Sequence, residues 1–144
     1  MKTSAIAGLL DREFRIEATA DPGMTKHALT EYGRAFVLPA FHERKTGLMF
    51  DFTKSVNITY CVTFTTSETL TEILKAADGP TLIFTHHPFD CHEDNVNLIG
   101  GTHYNTEKWA VRDVARFLNQ NGIPARFVED PVLSKYEEGN FRIR

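Results

Sequence analysis

Long basic stretches are missing from this 144-residue chain, and its formal net charge is −3. The only dense basic pieces are Arg44-Lys45 and the terminal Arg142 and Arg144. Electrostatic capture of nucleic acid needs clustered lysine and arginine, so no nucleic-acid partner is expected. No apolar run approaches the ~18 residues of a membrane span, so no membrane partner is expected either. The opening MKTSAIAGLLDREF meets charge at Asp11, before a secretory apolar region develops. Cysteine is scarce: Cys61 and Cys91 lie far apart in dissimilar contexts and are expected as free thiols in a reducing compartment. Together these absences predict a soluble cytoplasmic protein. There is no internal repeat, no low-complexity linker, and no P-loop or GxGxxG phosphate cradle.

What is present suits one compact domain. Hydrophobic residues make up 42% of the chain, and a domain of this length buries roughly 70% of its unfolded surface. Ile6, Leu9, Leu10 and Phe14 keep helical spacing behind Ser4, a candidate N-cap. Ala20-Asp21-Pro22-Gly23 signals a turn. From 27 to 52, Tyr32, Phe36, Leu38, Phe41, Leu48, Met49 and Phe50 recur without a clean period, which reads as core or subunit interface.

Beyond that the pattern sharpens. Ile58, Tyr60, Val62 and Phe64 alternate with Thr59, Cys61 and Thr63, which predicts a strand. A capping box from Thr65 to Glu68 opens a helix lined by Leu70, Ile73, Leu74 and Ala77 and stopped by Asp78-Gly79-Pro80. TLIFT (81 to 85) is a short apolar strand, so strand, helix and strand make a parallel βαβ unit. Residues 106 to 120 read as a helix with Ala110, Val111, Val114, Phe117 and Leu118 facing inward. Asn121-Gly122 ends it, and 125 to 128 is expected as another strand. The fold class is α/β, a parallel or mixed sheet with flanking helices in a single domain over 1–144.

Four of the six histidines (His86, His87, His92 and His103) fall within eighteen residues, where even spacing would put fewer than one. His86 and His87 follow a predicted strand, where open parallel sheets collect ligands beyond their carboxyl ends. Adjacent strand residues normally point to opposite faces. Pro88 cannot continue the ladder, so both imidazoles can turn to one crevice. His103 and Glu107 are four apart, a spacing that puts both on one side of a helical turn. Gly100-Gly101 just before them allows a close backbone approach to a bound group. The metal candidates are therefore His86, His87, His103 and Glu107. Imidazole nitrogen and carboxylate oxygen suit zinc, iron, manganese or nickel. His92 reads as solvated, while Trp109 and Tyr104 read as packing residues.

With these motifs in hand, the chain resembles the Nif-three-like family of dinuclear metal-centre proteins, the GTP cyclohydrolase 1 type 2 homologues. The matching text is KTGLMFDFTKSVN (45 to 57), the strand and helix to Ala77, LIFTHHP (82 to 88) and GGTHYNTEKWAVRDVARFLNQNGIPARFVEDP (100 to 131), roughly two-thirds of the chain. The resemblance implies that His86, His87, His103 and Glu107 are metal ligands. It also implies two neighbouring metals and ring-shaped homo-oligomers, commonly hexamers. Typical members carry a long segment between the His-His-Pro and Gly-His-Tyr motifs, with an Asp that bridges the metals. Here only Phe89 to Ile99 spans the gap, and Asp90, His92 or Asp94 would have to replace that Asp, or the site holds one metal. The expected function is a metal-dependent hydrolase of small molecules with one or two divalent ions per chain. The alternative is a non-enzymatic metal-binding or regulatory oligomer.

Overall fold

A computed structural model describes residues 1–14, 34–44, 46–88, 92–101 and 103–128, the side chains of 103–105 excepted. The turn expected at Ala20-Asp21-Pro22-Gly23, Asp90, and the side chains of Tyr32 and Tyr104 lie outside the described residues. Among the described residues the elements are α1 (Thr3–Phe14), α2 (Pro39–Arg44), β1 (Gly47–Phe50), β2 (Ile58–Phe64), α3 (Ser67–Ala76), β3 (Thr81–His87), β4 (Val96–Gly100) and α4 (His103–Gln120). The strands form one sheet in the order β1-β4-β3-β2. β2, β3 and β4 run parallel, and β1 closes the far edge antiparallel to β4. This is the mixed-sheet α/β domain that the alternation of strand and helix patterns predicts. No helix among the described residues is long and apolar enough to cross a membrane.

The pleat sorts the apolar residues onto two faces. Ile83 and Leu98 face one side with Phe41, Met49, Phe50, Leu70 and Ile73, and the half-buried Tyr60 and Val62 pack against them. Leu82 and Ile99 face the other with Val56, against Ile6, Leu10 and Phe14 of α1. Each fully buried Leu or Ile contributes ~1.5–3 kcal/mol of transfer free energy, so the two central strands, buried on both faces, anchor the domain. The aromatic-rich 27-to-52 segment is core where it is described, because Phe41, Met49 and Phe50 are all buried.

Several boundaries differ from the sequence expectation for identifiable reasons. α1 begins at Thr3, so Ser4 lies inside it; the buried Thr3 hydroxyl donates to the Thr53 carbonyl at 3.0 Å. The N-cap of α3 is Thr66, whose hydroxyl accepts from Thr69 N. Thr65 is instead buried against β3, its backbone N–H and hydroxyl both donating to the His87 carbonyl at 3.2 Å. Glu68 keeps its place in the first turn. A hydrogen bond from its own backbone N–H, and then one from the Thr66 hydroxyl, hold its carboxyl below the ordinary glutamate value.

α4 starts three residues earlier than its apolar pattern suggests, at His103. Its end is a Schellman motif: Ile123 N bonds Leu118 O at 3.0 Å, Gly122 N bonds Asn119 O at 3.1 Å, and Gly122 has φ 78°. The expected strand at 125–128 does not form. The Asn119 side chain takes both backbone groups of Ala125, accepting from its N–H at 3.1 Å and donating to its carbonyl at 2.8 Å. A backbone so occupied has nothing to offer a sheet ladder at that residue. The expected inward face of α4 is also corrected, because Ala110, Val111, Val114 and Phe117 are exposed and Leu118 is only half-buried.

Candidate functional site

The site residues collect at the carboxyl end of β3. Leu82 and Phe84 place every even residue of β3 on the α1 side of the sheet, so His86 belongs to that side and meets the start of α4. Pro88 follows, and the strand continues through both histidines before it ends there, rather than stopping at Thr85. The His87 carbonyl is held by Thr65 and also accepts from the Thr85 hydroxyl at 3.3 Å. Thr85 is itself fully buried, and its single hydroxyl hydrogen is shared between that carbonyl and the Thr63 carbonyl at 3.1 Å. These bonds pin the terminal residues of β3 to β2.

His86 and His87 do turn towards each other, with ring centroids 4.1 Å apart and planes at 84°. The His87 ring also lies flat on Phe64 of β2, at 4.6 Å and 3°. These two residues are register partners, so the stack is a direct cross-strand pair. His86 Nε2 lies 3.2 Å from Glu107 Oε1, and the two side chains are 13% and 59% exposed. The pair therefore joins a sheltered imidazole to a carboxylate that opens to solvent. On the opposite side of the ring, His86 Nδ1 and Thr106 Oγ1 share a hydrogen bond of 2.5 Å.

Gly101 explains how Thr106 reaches that position. A Cβ on Gly101 would come within 2.5 Å of Thr106 Cγ2 and 3.2 Å of the Phe84 ring. A Cβ on Gly100 would meet Pro88 Cγ at 2.9 Å and Phe41 Cε2 at 3.2 Å. The two glycines therefore make room for neighbouring side chains. That room lets the second turn of α4 sit directly over β3. Trp109, one turn on from Thr106, packs edge-on against Phe14 at 6.3 Å and carries the Arg112 guanidinium over its ring at 4.6 Å.

Of the four expected ligands, the structure sets His86 beside Glu107 on one side and beside the His87 ring on another. His103 is the first residue of α4, four positions before Glu107, and its side chain lies outside the described residues. Among the described residues, no group of three His, Cys, Asp or Glu side chains converges on one ion position. His92 is not solvated. Its half-buried ring lies 4.3 Å from Phe36, 5.4 Å from Phe50 and 6.0 Å from Phe52, within the core cluster on the opposite face from His86. Asp94 is exposed in the turn that leads into β4. Sequence reasoning missed Thr106. The signal for it was present: a hydroxyl three residues after a histidine and one before the acid, in the first turns of a helix.

The donor set can be tested against an ion. Two ligands of one tetrahedral zinc-like ion, each at ~2.0–2.2 Å, stand ~3.4 Å apart. The 3.2 Å between His86 Nε2 and Glu107 Oε1 is close to that figure. An imidazole lone pair and a carboxylate oxygen at this distance need a positive charge between them, either a proton or a metal. A second nitrogen tied to a hydroxyl is the arrangement that orients ligating histidines. The residues fit a divalent ion on these grounds. Comparisons with family models, with curated proteins and with solved structures found no match to this chain.

Proposed function

We propose that the protein binds a divalent metal through His86, His87, His103 and Glu107 and uses it in hydrolysis of a small molecule. The observation that carries this reading is the His86–Glu107 approach of 3.2 Å with Thr106 on the other ring nitrogen. The resemblance to the Nif-three-like family supports the same ligands and adds a homo-oligomer to the proposal.

A bound divalent ion supplies Lewis acidity and lowers the pKa of its bound water. The chain's own residues do the rest. Thr106 fixes the His86 ring, so that in the tautomer with the proton on Nδ1 the Nε2 lone pair points at the ion position. Phe64 stacks on His87 and holds its plane. Glu107, on the solvent side, contributes the negative charge that offsets a dication and leaves an open approach for substrate. Without the family's bridging Asp, repulsion between two dications at ~4 Å is poorly screened, so one ion per chain is expected to bind tightly.

The test is elemental analysis of untagged protein, with His86→Ala and His103→Ala combined as the control. About one equivalent of zinc, iron, manganese or nickel in the wild type, lost from the double variant, is expected. Equal metal in both would remove the site. Metal retained without turnover of any phosphoester or cyclic amide would leave the non-enzymatic alternative standing.

A further inference from the structure

His86 stands against two adjacent residues of α4. Neighbours on a helix lie ~100° apart around its axis, so Thr106 and Glu107 approach the ring from two sides. Nδ1 shares a hydrogen bond of 2.5 Å with Thr106 Oγ1, and Nε2 lies 3.2 Å from Glu107 Oε1. A neutral imidazole has one N–H and one lone pair. With a proton, not an ion, between His86 and Glu107, one tautomer satisfies both contacts: Nε2–H donates to the carboxylate, and Nδ1 accepts from the Thr106 hydroxyl. Hydroxyl, imidazole and carboxylate then stand in the order by which a base activates a nucleophile and a third group orients the base.

We infer that Thr106 is a nucleophile for acyl transfer from small carboxylic esters, with His86 as its general base and Glu107 orienting His86. This goes beyond the metal reading, because an ion on Nε2 takes the proton's place and forces the other tautomer, so the ring serves one use or the other. Thr106 Oγ1 attacks the ester carbonyl carbon while its proton passes to Nδ1. The carbon–oxygen bond to the leaving alcohol then breaks, and the alcohol departs with the proton from Nδ1. Water attacks the acyl-Thr106 ester and gives a proton to Nδ1, and the acid leaves as Thr106 Oγ1 takes that proton back. The ionised Glu107 stabilises the imidazolium in both steps. The local structure suits this role. Helical side chains lean towards the helix N-terminus, and the N–H groups of residues 103 to 105 have no partner within α4. Their dipoles favour the oxyanion that forms next to Thr106. The His86 side chain is only 13% exposed, which strengthens its hydrogen bonds over those in water. Thr106 is half-buried, with its Cγ2 and the Phe84 ring both beside Gly101. That side of the hydroxyl is closed, so only a short acyl chain such as acetyl fits.

The experiment uses the full chain in EDTA, so its outcome does not depend on a metal, which elemental analysis tests separately. Diisopropyl fluorophosphate bonds an activated hydroxyl through phosphorus and releases fluoride, the hydroxyl proton leaving by way of His86. Tandem mass spectrometry then places the adduct. Expected are an adduct on Thr106, retained in Thr106→Ser, and hydrolysis of p-nitrophenyl acetate that falls at least ~10-fold in Thr106→Ala. His86→Gln slows labelling ~100-fold or more, the usual share of a general base. Glu107→Gln slows it ~10-fold. Because Glu107 is 59% exposed, that variant reads the arrangement without disturbing the fold. The assignment is overturned by the lack of an adduct on Thr106, by labelling as fast in His86→Gln or Glu107→Gln as in the wild type, or by ester hydrolysis unchanged in Thr106→Ala.

Discussion

Replacing Asn97 with alanine isolates the polar pin that ties the ends of the domain together. Asn97 is fully buried in β4. Its Oδ1 accepts from Phe52 N at 2.8 Å and Thr53 N at 2.9 Å, while its Nδ2 donates to Thr3 Oγ1 at 2.8 Å and the Thr53 carbonyl at 2.6 Å. One side chain thus joins β4, the segment after β1 and the first turn of α1. In Asn97→Ala the Thr53 carbonyl keeps the Thr3 hydroxyl as a donor, but the two N–H groups lose their acceptor. A buried donor left unsatisfied costs ~1–3 kcal/mol. Phe52 and Thr53 are only partly buried, which puts the pair near the lower end, and the expected loss is about 3 kcal/mol. With a urea slope of ~2 kcal/mol/M, the midpoint falls by ~1.5 M at unchanged slope. Thr3→Val, which removes one donor and keeps the shape, should cost about 1 kcal/mol. A midpoint shift below ~0.5 M for Asn97→Ala would show that water satisfies both N–H groups and that the pin carries little of the stability.

Thr106→Val leaves the His86 ring without its hydroxyl partner and should weaken metal binding ~10–100-fold, the usual effect of losing such a contact. Gly101→Ala, by displacing Thr106, should weaken it to a similar degree, and calorimetric zinc titration checks both; unchanged affinity in either would mean that Thr106 does not orient the ring. Glu68→Gln should destabilise α3 at neutral pH. The folded carboxyl titrates below its unfolded value, so its contribution is present above the unfolded pKa and disappears as pH falls through the folded one. Urea melts at pH 7 and pH 3 check this, and a larger deficit at pH 3 would contradict the sign.

β2, α3, β3 and α4 are legible because their apolar patterns are clear: alternation in 58–64, helical spacing in 70–77 and 106–118, and the short apolar run at 81–85. β4 is not, since the five residues Val96–Gly100 show no alternation and read as part of a loop. What periodicity does not encode is the body that a face meets. Val111, Val114 and Phe117 form a sound helical stripe, yet α4 meets β3 at Thr106 and α1 at Trp109, and the stripe is exposed. Ala125 to Val128 has strand composition, but a single Asn119 side chain claims the backbone of Ala125. His92 looks polar in its CHED context, whereas tertiary packing sets it among three phenylalanines. The pairs His86–His87 and His103–Glu107 are readable for a different reason: the first two are neighbours in sequence and the second two a helical turn apart, whereas the approach of His86 to Glu107 is tertiary. Thr106, whose role depends on a glycine five residues earlier, is not readable in this way.

The connection from β3 to β4 has only the eight residues 88 to 95, which leaves no room for the crossover helix that usually joins parallel strands. Its length is nonetheless close to irrelevant for the two halves of the site. His87 is secured through its carbonyl by Thr65 and Thr85, His86 by Thr106, and Glu107 by its place on α4, none of which involves this connection. Loop closure becomes less favourable by only ~0.6 kcal/mol per doubling, so growth from eight residues to sixty-four would cost about 2 kcal/mol of chain entropy. The gap after Pro88 is therefore a place where an entire additional domain can be carried or lost while the histidines and Glu107 keep their positions.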